Sequence, residues 1–181
     1  MNKITVNNTI VEILVKDIRN VDFDAIVIPS NTRLLPSGKL RCEVLREAGA
    51  NVQMECNKII NKVGIIGVGA AVITSAGNLK SKHIIHTVGP QLGQGKEGKK
   101  IMLCTWNSLT LADEAGLKSI AFSPVSLENL GFNAKICANV MIPTIKKYLL
   151  QKNKNLKHIG IVLTELPEYK DFENVIESYS N

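Results

Sequence analysis

Thiols and imidazoles are the first residues of this chain that could do chemistry, because they bind metals and act as nucleophiles or bases. The four cysteines are Cys42, Cys56, Cys104 and Cys137. They are widely spaced and include no C-x-x-C pair, which is the pattern typical of zinc and redox sites. His83 and His86 are three apart in a predicted strand, where side chains alternate between faces, so they cannot share a metal. We therefore expect free buried thiols, structural histidines and no metal, and we assign no catalytic residue.

Length and composition indicate one globular domain over residues 1–181. A hydrophobic content of 45% with 21% charged residues excludes wholesale disorder and a coiled coil. The longest nearly apolar run, residues 63–73, is interrupted by glycines and is far shorter than the roughly 20 residues that cross a bilayer. The amino terminus lacks the apolar core of a signal peptide. We expect a cytoplasmic monomer with no membrane partner.

The charge balance favours anionic partners. Lysine and arginine exceed aspartate and glutamate by 22 to 16, a net charge of +6. Part of the excess is a stretch with no acid in it, formed by Lys146, Lys147, Lys152, Lys154 and Lys157. Such a stretch could contact a phosphate backbone, but lysines near the end of a helix also complement its dipole in water. Nucleic acid is thus an alternative partner only, since an aromatic content of 4% supplies few stacking surfaces.

Hydrophobic periodicity predicts strands alternating with helices. The predicted strands are residues 11–15, 25–28, 70–74, 84–88, 119–122 and 158–163. The predicted helices are residues 40–52, with Gly49 as a weak point near a possible end, 102–112, 138–149 and 172–176. This order is typical of an α/β sandwich whose sheet is covered on both faces. Ligands of such folds bind beyond the carboxyl ends of the strands.

Four segments, in this order and at this spacing, resemble strands of the macrodomain family. They are residues 24–31, which end in Asn31, and residues 71–79, 83–90 and 116–122. The likeness covers nearly the whole chain. It implies a three-layer α/β/α sandwich with a mixed, mostly parallel central sheet that binds ADP-ribose without a cofactor. Some members also hydrolyse ADP-ribose from proteins or from an acetyl ester, so an ADP-ribosylated protein is an implied partner.

The resemblance places binding residues at two strand ends. Asp17, followed by Ile18, matches the position that accepts a hydrogen bond from the adenine amino group, and a carboxylate suits that role because it is acceptor-only. The alternative is an ordinary capping aspartate. Asn31 matches the residue that reads hydroxyls of the distal ribose, which an amide can do as donor and acceptor. Ile28 stands where many members carry a further asparagine.

The first phosphate loop departs from the family pattern. Gly38 is the only family glycine left in residues 36–41, and Pro36 has no amide to donate. Arg41 replaces the acidic residue that helps hydrolytic members orient water, and a guanidinium cannot act as that base. Lys39 and Arg41 could instead hold a phosphate, or they could simply be exposed.

The second phosphate loop is altered too, and its matching residues are Ser126, Leu127, Glu128, Asn129, Leu130, Gly131 and Phe132. Glu128 replaces a glycine and Leu130 an aromatic residue, whereas Phe132 keeps the other aromatic position. Because the two loops face each other in the family, we expect Arg41 and Glu128 to pair and narrow the cleft.

These residues predict a module that binds ADP-ribose or a related adenine nucleotide without efficient hydrolysis. One alternative is an ADP-ribosyl hydrolase that uses another arrangement of groups. The other is a nucleic-acid or protein interaction domain that kept the fold and lost the ligand, since fold alone does not fix function.

Overall fold

A computed structural model of the chain describes residues 2–125 and 133–179. The strands in this part are β1 (Lys3–Val6), β2 (Thr9–Val15), β3 (Ala25–Pro29), β4 (Ala71–Ser75), β5 (His83–Thr87), β6 (Ser119–Phe122) and β7 (His158–Leu163). The α-helices are α1 (Lys39–Ala48), α2 (Ala50–Val63), α3 (Glu97–Glu114), α4 (Ala134–Gln151) and α5 (Leu166–Glu177). A single 3₁₀ turn, Ile18–Asn20, follows β2.

The strands form one mixed sheet in the order β1-β2-β7-β6-β3-β5-β4. Neighbours from β2 through β5 run parallel, whereas β1 and β4 pair antiparallel at the two edges. The carboxyl ends of β2, β7, β6 and β3 therefore lie side by side at one edge of the sheet. Loops that leave these four ends can build a shared binding site.

Helices cover both faces of the sheet. Alternate side chains of β3, such as Val27 and Ile28, point to opposite faces and belong to different core clusters. One cluster packs against α3, α4 and α5 and includes Met141 and Phe172. The other packs against α1 and α2 through Val44 and related residues. This is the three-layer α/β/α sandwich with a mixed, mostly parallel sheet that the sequence predicts, and the fold class is confirmed.

Two elements differ from the sequence predictions. β1 was not predicted, because four residues are too few for a clear alternating pattern. The single helix expected over residues 40–52 is the start of two helices that meet at Gly49. Gly49 has φ +94°, a conformation that L side chains rarely adopt, so the chain turns there and α2 begins.

Three of the four thiols are packed inside the fold. Cys56, Cys104 and Cys137 are buried, Cys42 is exposed, and all four thiols are free. Within residues 2–125 and 133–179, no three His, Cys, Asp or Glu side chains come together as a metal ion would require. None of the helices described there is long and apolar enough to span a membrane.

The turn between β4 and β5 packs tightly on the end of α1, and Gly77 makes this possible. A Cβ at Gly77, where φ is +56°, would lie 2.0 Å from the backbone oxygen of Ala48. Gly116 follows α3 with φ +73° and has open space around its Cβ position. The two positions share a left-handed backbone but differ in crowding.

We predict that Gly116→Ala lowers the free energy of unfolding by about 1–2 kcal/mol, the ordinary cost of left-handed backbone. Gly77→Ala should cost at least about 2 kcal/mol more, because backbone must move to admit the methyl group. Urea unfolding followed by circular dichroism measures both values. Equal losses in the two variants would contradict the close packing at Gly77.

Candidate functional site

A cavity of about 740 Å³ opens at the carboxyl ends of β2, β3, β6 and β7. The residues that line it are Val15, Lys16, Asp17, Ile18, Arg19, Pro29, Lys39, Leu40, Glu43, Ser123, Pro124, Val162, Leu163, Thr164, Glu165 and Glu168. Its size lies in the range of small-molecule sites, roughly 300–1,000 Å³. The mixture of apolar strand ends and charged loop residues fits a ligand with both apolar and ionic parts.

Asp17 lies at the cavity and is bound to Arg19. Its Oδ1 accepts from the Arg19 backbone N–H at 2.9 Å, which caps the 3₁₀ turn, and from Arg19 Nε at 2.9 Å. Its Oδ2 accepts from Arg19 Nε at 3.0 Å and from Nη2. These hydrogen bonds hold the pKa of the Asp17 carboxyl below its usual range. Asp17 is thus an ionised capping residue at the cavity, and the buried Ile18 anchors the same turn in the core.

The amino terminus of α1 forms another wall of the cavity through Lys39 and Leu40. Gly38 occupies the N-cap position with φ +67° and has no side chain that could accept from the amides of the first turn. A helix start of this kind favours anions, since its N–H groups point outward and its dipole is positive there. The cavity thus combines a positive helix end and the amines of Lys16 and Lys39 with the carboxylates of Glu43, Glu165 and Glu168.

Asn31 binds its own loop. Its Nδ2 donates to Leu35 O and to Ser37 Oγ, each at 2.8 Å. Its Oδ1 accepts from the backbone N–H groups of Arg33 and Leu35, each at 3.1 Å. These four contacts use both donors and both lone pairs of the carboxamide. Asn31 is not among the cavity residues, so this geometry does not support the expected contact with a ribose diol unless a loop contact is exchanged.

Arg41 differs most from its sequence prediction. The side chain is 1% exposed, so the expectation of a surface residue is wrong. Its role as a phosphate ligand stays a prediction that this buried position does not favour. Its Nη2 donates to Leu34 O at 2.7 Å and its Nε to Leu35 O at 2.9 Å. Its Nη1 contacts His86 Nδ1 at 2.8 Å. The physical reason is helix phase, because Arg41 shares the inward face of α1 with Val44.

His86 completes this buried arrangement in a neutral form. Burial, and then the charge of Arg41, lower the pKa of His86 to about 3. Because a guanidinium only donates, Nδ1 of His86 must accept from Arg41, and Nε2 carries the proton. Nε2 lies 2.9 Å from Thr74 Oγ1, which it can reach as donor. The Cys56 thiol lies 3.8 Å from the same nitrogen, and burial raises its pKa. This arrangement holds Arg41 inside the core.

The structure brings together some of the predicted site residues. Asp17, Ile18 and Lys39 line the cavity, and Gly38 adjoins it at the start of α1. Asn31 lies in the loop before that helix, and Arg41, within α1, donates hydrogen bonds to the same loop. The residues from Ser126 to Phe132, with the proposed partner Glu128, lie outside the described residues.

Sequence reasoning missed five charged residues of the cavity, which are Lys16, Arg19, Glu43, Glu165 and Glu168. Arg19 stands two residues after Asp17, and this opposite charge at the strand end was the available signal. Glu43 gave no comparable signal, because a single acid on a helix is most often a solvated residue.

Solved structures share this fold. A macrodomain variant of Oceanobacillus iheyensis solved with ADPR is 27% identical, with a TM-score of 0.93 over 98% of this chain and 97% of that chain. The macrodomain of Trypanosoma brucei in complex with ADP-ribose is 25% identical, with a TM-score of 0.83 over 92% of this chain and 68% of that one.

Curated relatives extend along nearly the whole chain. A macro domain-containing protein of Listeria monocytogenes is 36% identical over 165 residues, which are 90% of this chain and 94% of the relative. O-acetyl-ADP-ribose deacetylase 1 of Pantoea vagans is 32% identical over 155 residues, 84% of this chain and 90% of the relative. The profile of the Macro domain family matches residues 27–141. This match spans more than half of the 181 residues of the chain, so the chain belongs to the macro domain family.

Proposed function

We propose that the protein binds ADP-ribose, or a closely related adenine nucleotide, in the cavity at the carboxyl ends of β2, β3, β6 and β7, without efficient hydrolysis. The observation that carries this proposal is the juxtaposition of Asp17 and the start of α1 across one cavity of about 740 Å³. An acidic acceptor suits an aminopurine, and a helix amino terminus suits a diphosphate. Solved macrodomains with ADPR and with ADP-ribose share the fold, which supports the same ligand class.

The absence of efficient hydrolysis is proposed from Arg41. The side chain lies in the core, bound to two carbonyl groups and to neutral His86, and its guanidinium keeps its proton. It can therefore neither activate a water molecule nor orient one in the cavity. The deacetylase named among the relatives supports the alternative of hydrolysis, and activity measurements separate the two functions.

Binding is tested by titration calorimetry with ADP-ribose. Thr164 is exposed at the end of β7 and lines the cavity, so Thr164→Trp should block it and weaken binding at least about 10-fold, which corresponds to about 1.4 kcal/mol. Asn51→Trp, at an exposed position on α2 away from the cavity, is the matched control and should bind as the unaltered protein does. The proposal fails if the unaltered protein gives neither heat nor a thermal shift with millimolar ADP-ribose.

Hydrolysis is tested with O-acetyl-ADP-ribose. We expect the protein to release acetate no faster than buffer does, under conditions in which the Pantoea vagans deacetylase turns the substrate over. Release above the buffer rate would instead establish the alternative function. In that case Glu43→Gln would show whether the carboxylate of α1 at the cavity takes part.

A further inference from the structure

The guanidinium of Arg19 donates hydrogen bonds to both carboxylate oxygens of Asp17 at the cavity. Each carboxylate oxygen of Asp17 already receives two contacts from Arg19. An ionised carboxylate offers about four lone-pair sites, and three N–H groups of Arg19 are directed at them, with the Nε–H shared between the two oxygens. A ligand amino group that donates to Asp17 must therefore compete with the guanidinium contacts.

The guanidinium of Arg19 has other carboxylates within reach. Its Nη1 lies 3.4 Å from Glu47 Oε2 and its Nη2 lies 3.8 Å from Glu43 Oε2, both on α1. The Arg19 side chain is 24% exposed, so it has solvent on one side and room to move. Arg19 can thus leave Asp17 and remain paired with α1, which lowers the cost of exchange.

We infer that Arg19 competes with the base of the ligand for Asp17 and so determines how well the cavity distinguishes purines that carry an exocyclic amino group from purines that lack one. This inference rests on the proposed function. When Arg19 is bound to Asp17, the cavity presents guanidinium donors beside the base in place of a bare carboxylate. Adenine then gains little over hypoxanthine, whose carbonyl oxygen in place of the amino group is an acceptor.

The variant that isolates this effect is Arg19→Met, which keeps an unbranched apolar stem and removes the competing donors. Its backbone N–H still caps Asp17. Arg46→Met removes one positive charge from an exposed position of α1 that does not line the cavity, and it controls for the change in net charge. Each protein is titrated with ADP-ribose and with the analogue in which hypoxanthine replaces adenine.

In Arg19→Met we expect ADP-ribose to bind about 5- to 10-fold tighter, because the amino group then meets an unoccupied charged acceptor. The affinity for the analogue should change only as much as it does in Arg46→Met. The dissociation constant of the analogue divided by that of ADP-ribose therefore rises. A merely structural role of Arg19 would alter both ligands equally and leave this ratio unchanged.

Glu47→Gln provides a test in the opposite direction. It weakens the alternative pairing of Arg19 without touching the cavity, so discrimination between the two bases should fall by about twofold, a size typical of one exposed ion pair. If the unaltered protein binds ADP-ribose and the ratio does not rise in Arg19→Met, or rises in Glu47→Gln, the inference is overturned. If the unaltered protein does not bind ADP-ribose, the proposed function falls and the inference falls with it.

Discussion

The buried guanidinium of Arg41 is the constraint on which the cavity depends. It ties the carbonyl groups of Leu34 and Leu35 to His86 of β5, so the loop between β3 and α1 is held against the sheet. Removing a cation from water is costly unless its donors are satisfied. Here charge-assisted hydrogen bonds to two carbonyls and a neutral imidazole offset that cost. The loop therefore has one well-determined course.

The loop between β3 and α1 leads into the wall of the cavity, which includes Lys39 and Leu40 of α1. Leu34 adopts φ +56°, a left-handed conformation that costs a residue with a Cβ roughly 1–2 kcal/mol. It is maintained because the side chain is fully buried and its carbonyl accepts from both Arg41 and Gln53. Asn31 fixes the outer part of the same loop, and the loop delivers Gly38 to the start of α1. Interactions away from the ligand space thus determine where the helix dipole points.

The sequence predicted the fold well because the strands are continuous apolar runs whose burial leaves a clear pattern. It predicted the site less well, since side chains there are positioned by contacts between distant elements. The apolar periodicity that predicts a helix over residues 40–52 includes Leu40 and Val44, whereas the fully buried residue of the first turn of α1 is Arg41. A search for apolar periodicity does not detect a polar residue that faces the core. The partner of Arg41, His86, lies 45 residues further along the chain, so sequence spacing did not indicate the pair either.

The two arginines near the site show why net charge is a poor guide to ligand binding here. The charged group of Arg41 is hydrogen-bonded inside the core, and that of Arg19 is paired with the carboxylates of Asp17, Glu43 and Glu47. Neither adds much to the potential that a diphosphate would meet. Attraction comes from the start of α1 and from Lys16 and Lys39, and it is opposed by the cavity carboxylates of Glu43, Glu165 and Glu168. If the proposed function holds, the overall charge of +6 would favour the approach of an anionic ligand, whereas selectivity between bases would depend on the hydrogen bonds at Asp17.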